Sequence, residues 1–190
     1  MAIALHWLGL LLLMLCFLRI SVASVTHFDR ARSALGMTLV RVLSLAATLW
    51  LGSEAATKIT PASPWSSALT LIFTLCALAL LETTLRQTSA RTLDVAFTDH
   101  APETLVTEGV FRLVRNPFYA SYLIYWAAWI PATAGGWAAW AVLALFIAIY
   151  AQAVRGEERI LATKFGAAYA EYKSRTGRFI PKVTGVTKGG

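Results

Sequence analysis

Glu157 and Glu158 are adjacent in a stretch that reads as helix, with Arg155 and Arg159 on either side. Upstream, beyond two apolar runs, stands Arg115-Asn116-Pro117-Phe118-Tyr119, and downstream stands Tyr172-Lys173-Ser174-Arg175-Thr176-Gly177-Arg178. Carboxylates, arginines and an aromatic ring make a set suited to small charged ligands. A carboxylate accepts hydrogen bonds from hydroxyls and attracts a cation. An arginine grips a carboxylate through its planar fork, and a tyrosine ring can face a positive charge. Each motif also has a plain structural meaning. Pro117 suits the first turn of a helix, where its missing N–H is not needed, and Asn116 before it can cap that helix. The paired glutamates, flanked by arginines, read as a salt-bridged, solvated helix end, so Glu158 is expected to be exposed and dispensable for folding.

These residues belong to a chain with little charge. Of its 190 residues 57% are hydrophobic and only 14% charged, with a mean hydropathy of +0.61. A soluble domain carries about 25% charged residues. The chain therefore reads as an all-α integral membrane protein, a single domain over 1–190. Five runs approach the roughly 20 apolar residues that a membrane span requires: 2–20, 35–56, 65–85, 118–134 and 137–154. Arg41 lies just inside the second run, where its long side chain can snorkel to the interface, and Glu82 lies near the exit of the third. Only Gly135-Gly136 separates the last two runs, which predicts an antiparallel hairpin. Trp126, Trp129, Trp137 and Trp140 around that turn fit an interfacial aromatic belt. The first run has no basic start and no small-residue cleavage site, so no removable signal peptide is expected. Cys16 and Cys76 both fall in apolar runs, which argues against a disulfide framework and against a zinc site.

The net charge of +7 is confined to the connections and the tail, as suits a surface beside anionic lipid rather than a nucleic-acid stripe. Arg30 and Arg32 follow the first run, and Lys58 alone follows the second. Arg86, Arg91, Arg112 and Arg115 lie between the third and fourth, and the tail from Arg155 to Lys188 is rich in both Lys and Arg. This alternation predicts an extracytoplasmic N-terminus, with the third connection and the tail in the cytoplasm. That connection, about 30 residues, exceeds the usual length of an unstructured loop and carries Asp94, Asp99, His100, Glu103 and Glu108. The last run does not stop at its apolar end but continues as helix, where Leu161, Phe165, Ala168 and Tyr172 recur at helical spacing, which predicts an amphipathic surface helix. Gly177 and Pro181 end it.

In order, Arg115-Asn116-Pro117-Phe118-Tyr119, the apolar hairpin, Glu157-Glu158-x-x-Leu161, Phe165-Gly166-x-x-Tyr169-x-x-Tyr172 and Ile180-Pro181 resemble the isoprenylcysteine carboxyl methyltransferase family and its phospholipid methyltransferase relatives. The resemblance covers 109–181; the first three runs match only in number and hydrophobicity. Many relatives read Arg-His-Pro where this chain has Asn116, which can donate or accept a hydrogen bond but carries no proton. The resemblance implies a membrane enzyme using S-adenosylmethionine, bound between the hairpin and the tail helix without the Gly-x-Gly-x-x-Gly turn of a Rossmann fold. It implies cofactor contacts from Arg115, Asn116, Pro117, Tyr119, Glu157 and Glu158, catalytic roles for Glu158 and Arg175, and no metal. Arg115 and Arg175 would clamp carboxylates, one on the cofactor and one on the acceptor, with Arg178 as the next candidate.

Methyl transfer from a sulfonium is an in-line displacement, to which a protein contributes mainly alignment and charge placement. A carboxylate acceptor is already ionised at neutral pH and needs no base. An amine acceptor needs one, and His100 is the only histidine in this neighbourhood. The residues therefore lean toward an anionic oxygen or a thiolate as acceptor, and the resemblance implies a carboxylate on a lipophilic or prenylated acceptor, met at the bilayer, with no nucleic-acid partner. The alternatives are a phospholipid N-methyltransferase or thiol S-methyltransferase, an NADPH-dependent enzyme of the sterol-reductase type, and a non-enzymatic small transporter or scaffold.

Overall fold

A computed structural model describes residues 2–26, 34–58, 63–89 and 104–182. Its described residues form five α-helices: α1 (Ala2–Thr26), α2 (Ala34–Thr57), α3 (Pro64–Ser89), α4 (Pro117–Ala132) and α5 (Trp137–Arg175), with a short 3-10 turn at Gly109–Arg112 before α4. The chain is all-α. Helices α1, α2, α3 and α5 are long and apolar enough to cross a membrane. The fourth apolar run yields a shorter helix than the sequence suggests. Its 16 residues rise about 24 Å at 1.5 Å per residue, less than the roughly 30 Å hydrocarbon core. Pro131 lies in its last turn, and Ala134 and Gly135 then take positive φ angles of 54° and 79°. That left-handed turn returns the chain as the expected hairpin.

Packing is antiparallel between α4 and its neighbours α3 and α5, parallel between α1 and α3, and aromatic at its centre. Helix α3 packs most extensively along α4 and next along α1, and α4 packs against α5. Trp126 of α4 stacks on Phe146 of α5 with ring centroids 4.0 Å apart, and its indole N–H donates to the Tyr150 hydroxyl at 3.2 Å. The hydroxyls of Thr48 and Tyr125 meet at 2.9 Å and tie α2 to α4. Arg19 and Glu82 pair at 2.5 Å between α1 and α3, so the polar residue near the exit of the third run has a partner. Outward, Trp7, Leu11, Leu18, Leu39 and Trp65 are exposed. An apolar exterior of that extent suits contact with lipid.

Helix α5 runs 39 residues and does not stop where the fifth apolar run ends. It is broken only at Gly166, whose φ of 49° and ψ of −120° are non-helical and cost glycine least. The helix continues past the apolar run as the sequence predicts, and the kink at Gly166 then shifts the register of its last part. Ala168, expected on the apolar stripe, is exposed, while Tyr169 and Tyr172 turn inward. The C-terminal ends of α1 and α3, the N-terminal ends of α2 and α4, and the part of α5 beyond 154 gather at one end of the bundle. The motifs of the sequence collect there. Asp94, Asp99, His100 and Glu103 lie outside the described residues, as do Arg30, Arg32, Arg91 and Lys188.

Candidate functional site

Glycine at 109 lets the segment before α4 dock closely. It has φ +58°, and a Cβ there would fall 1.8 Å from the Gln87 side chain, whose amide oxygen accepts from the Val110 N–H at 3.1 Å. The Tyr172 hydroxyl donates to the Phe111 carbonyl at 2.8 Å, joining this segment to the tail. Residues 114–116 then run beside the chain that follows α5. Val114 and Gly177 form a parallel bridge. The Arg115 N–H donates to the Gly177 carbonyl at 2.8 Å and the Asn116 N–H to the Arg178 carbonyl at 3.2 Å. Gly177 permits the tight turn needed here, since a Cβ would fall 1.6 Å from the Ile180 carbonyl oxygen.

This strand-like pairing closes a clasp around Glu158. The residue is 5% exposed. Its carboxylate accepts from Arg115 Nε at 3.1 Å, from Arg178 Nη2 at 2.7 Å and Nε at 3.3 Å, and from Asn116 Nδ2 at 3.4 Å. Arg115, itself 7% exposed, also donates from Nη1 to the carbonyls of Thr176 and Lys173. Burial by itself would raise the Glu158 carboxyl, but the hydrogen bond from Arg178 and the charge of Arg115 outweigh it and hold the group below its ordinary value. The same contact pushes the Arg178 guanidinium up. Glu158 is therefore buried, against the expectation of an exposed helix end, because the tail folds back over it. Asn116 does stand at the start of α4, yet its side chain makes no capping hydrogen bond. It donates instead to Glu158 and to the Arg178 carbonyl at 3.3 Å.

Glu157 points elsewhere. It lines a cavity of about 730 Å³, within the range of roughly 300–1,000 Å³ typical of small-molecule sites. Arg115, Asn116, Pro117 and Tyr119 share that lining, with apolar side chains of α1, α2 and α5 making up most of the rest. The Tyr119 hydroxyl donates to Glu157 Oε1 at 2.6 Å. Burial raises the Glu157 carboxyl to about 7, against the lowering effect of that hydrogen bond and with help from the charge of Glu158. A carboxyl at that value is half ionised at neutral pH, and a bound cation would favour its charged form.

Of the residues singled out in the sequence, Arg115, Asn116, Pro117, Tyr119 and Glu157 meet at the cavity, and Glu158 lies directly behind them in the clasp. Arg175 does not join either group. It is 59% exposed and pairs with Glu171 one turn back on α5 at 3.1 Å. The second arginine on Glu158 is Arg178, which follows the turn at Gly177. Spacing alone did not separate those two arginines, and the one signal that could is the glycine between them. Gln87, Phe111 and Tyr172 also support the site without having stood out as functional. Among the described residues no group of three His, Cys, Asp or Glu side chains is placed to hold a metal ion.

A bundle of apolar helices, with a mostly apolar cavity at one end that carries a few polar side chains, defines an integral membrane protein. The model of the phospholipid methyltransferase family matches residues 65–168, more than half of the chain, and the chain belongs to that family. It is also similar to the cobalt-zinc-cadmium resistance protein CzcN of Cupriavidus metallidurans, with 39% identity over 82 residues. That match covers 43% of this chain and 37% of CzcN, so the chain corresponds to well under half of that relative's length.

Proposed function

We propose that this chain is an S-adenosylmethionine-dependent membrane methyltransferase that methylates a carboxylate on a lipophilic acceptor at the cytoplasmic face of the membrane. The observation that carries this reading is Glu157 with Tyr119 on the wall of a mostly apolar cavity, inside the segment that matches the family. The residues present fit the cofactor. A carboxylate and an aromatic ring suit its sulfonium and its ribose hydroxyls, and the neighbouring apolar wall suits the acceptor's chain. The cofactor supplies a methyl group on a positively charged sulfur. Glu157 and Tyr119 would hold that end by charge and hydrogen bonding, while Pro117 and Tyr119 help exclude water. The Glu158 clasp fixes Arg115 and Asn116 against the tail and so shapes the polar wall, a positioning role. The abundance of Lys and Arg in the third connection and tail supports the cytoplasmic placement.

One observation favours an amine acceptor as a second reading. A carboxyl at about 7 facing the cavity could take a proton from an ammonium group, work the sequence had no residue for beyond His100. The test uses purified full chain in detergent. Labelled S-adenosylmethionine should bind and NADPH should not, and methyl transfer should go to a prenylated cysteine carboxylate in preference to phosphatidylethanolamine. Transfer to phosphatidylethanolamine alone would establish the amine reading in its place. NADPH binding without S-adenosylmethionine binding would discard both.

A further inference from the structure

Three of the residues lining the cavity are charged: Arg115, Glu157 and Arg41. Arg115 is engaged with Glu158 and Glu157 with Tyr119. Arg41, from α2, is different. Its Nη2 donates to the Ser24 carbonyl at 2.6 Å, while its Nε is buried with no hydrogen-bond partner. Among the described residues no carboxylate pairs with it. A guanidinium carries five donors and no acceptor, and a buried unpaired donor costs free energy. A snorkelling arginine would meet water or headgroups with those donors. Here one is turned into protein beside a cavity that can admit a ligand. Around it Phe17, Ile20, Met37 and Val40 supply apolar lining, suited to an acyl or prenyl chain. Arg41 and these neighbours lie outside residues 65–168, the part that matches the family.

We propose that Arg41 holds an anionic oxygen group, a carboxylate or a phosphate, on the lipophilic ligand of this cavity, and so determines which acceptors the chain takes. This deepens the methyltransferase reading and rests on it for the word acceptor. The cavity then carries a carboxylate on α5 for a cationic group and a guanidinium on α2 for an anionic one, with apolar surface between for the chain. The planar fork of arginine suits both carboxylate and phosphate oxygens, whereas lysine offers only a point charge.

The experiment measures binding of dodecanoate, dodecyl phosphate and neutral dodecanol to the full chain in non-ionic detergent by calorimetry, apart from any turnover. The unaltered chain should bind at least one of the two anions about tenfold or more tighter than dodecanol, about 1.4 kcal/mol. Preference for dodecanoate alone identifies a carboxylate ligand, and preference for dodecyl phosphate alone a phosphate headgroup. Arg41→Met should bring the anions to the level of dodecanol and leave dodecanol unchanged, and Arg41→Lys should keep only part of the preference. No anion preference in the unaltered chain, or the same preference in either variant, overturns the proposal. Should Arg41→Met fail to fold, the unaltered chain and the lysine variant still decide. S-adenosylmethionine binding, measured on the same preparation, separately decides the methyltransferase reading. Its absence would leave an anion site that the three amphiphiles report on directly.

Discussion

One turn of α5 offers two carboxylates to two different surroundings. On the side facing the tail, Glu158 is enclosed by Arg115, Arg178 and Asn116, and opposite charge keeps it ionised despite burial. On the side facing the cavity, Glu157 has one hydroxyl donor and an apolar neighbourhood, and its carboxyl is raised to about 7. Successive residues on a helix point about 100° apart, so adjacent glutamates necessarily face different neighbours. The lesson is that satisfaction separates structural from functional groups. A carboxylate whose oxygens are already taken holds the protein together, and one that is underpaired beside a cavity is left for a ligand.

The largest expected effect comes from breaking the satisfied side. Glu158→Ala leaves the Arg115 guanidinium buried without its counter-charge, and removing one partner of a buried ion pair costs about 3–5 kcal/mol. Thermal unfolding in detergent should show a large drop in midpoint, and protease should cut the tail near Gly177. The stabilisation from Glu158 is present above the ordinary carboxyl value and lost as pH falls through its depressed folded value. A midpoint equal to that of the unaltered chain would make the clasp ornamental and return Glu158 to the solvated role its neighbours in sequence suggest.

A smaller effect of a different kind is expected on the open side. Glu157→Gln should fold normally but lose affinity for S-adenosylmethionine. Because Glu157 is protonated below about 7, cofactor affinity of the unaltered chain should fall as pH is lowered through that value, by at most about tenfold per unit. The glutamine variant should show no such slope. The sign for stability is opposite to that of Glu158. A raised carboxyl favours the folded protein when protonated, so its contribution declines as pH rises from the ordinary value toward about 7. Calorimetric titration across the neutral range would reveal the slope, and a flat profile in the unaltered chain would dissolve the distinction between the two glutamates.

The smallest effects compare the two arginines of the tail. Arg175→Lys touches an exposed i,i+4 pair, which is worth about 0.3–0.5 kcal/mol, so unfolding midpoint and turnover should barely move, the latter by less than about twofold. Arg178→Lys replaces a two-nitrogen grip on Glu158 with a point charge and should cost about 1 kcal/mol or more. Turnover that collapses for Arg175→Lys and survives Arg178→Lys would reverse the assignment.

Much of this protein follows from composition and order. Low charge and long apolar runs leave helices as the spanning structure, because backbone groups in lipid must be satisfied within the segment. Gly135 and Gly136 limit the last two helices to a hairpin, and the string of motifs from Arg115 to Pro181 indicated the family. Those are local or one-dimensional facts. The shared location of Arg115, Asn116, Tyr119 and Glu157 was legible only through resemblance. Other features came from contacts between residues far apart in the chain. The turn at Gly177 brings Arg178 rather than Arg175 to Glu158. The break at Gly166 moves the buried face from Ala168 to Tyr169. The approach of α2 carries Arg41 to the cavity. Spacing specifies which residues share a helix face, but whether a charge is paired depends on which distant backbone folds over it, and that only the tertiary structure decided.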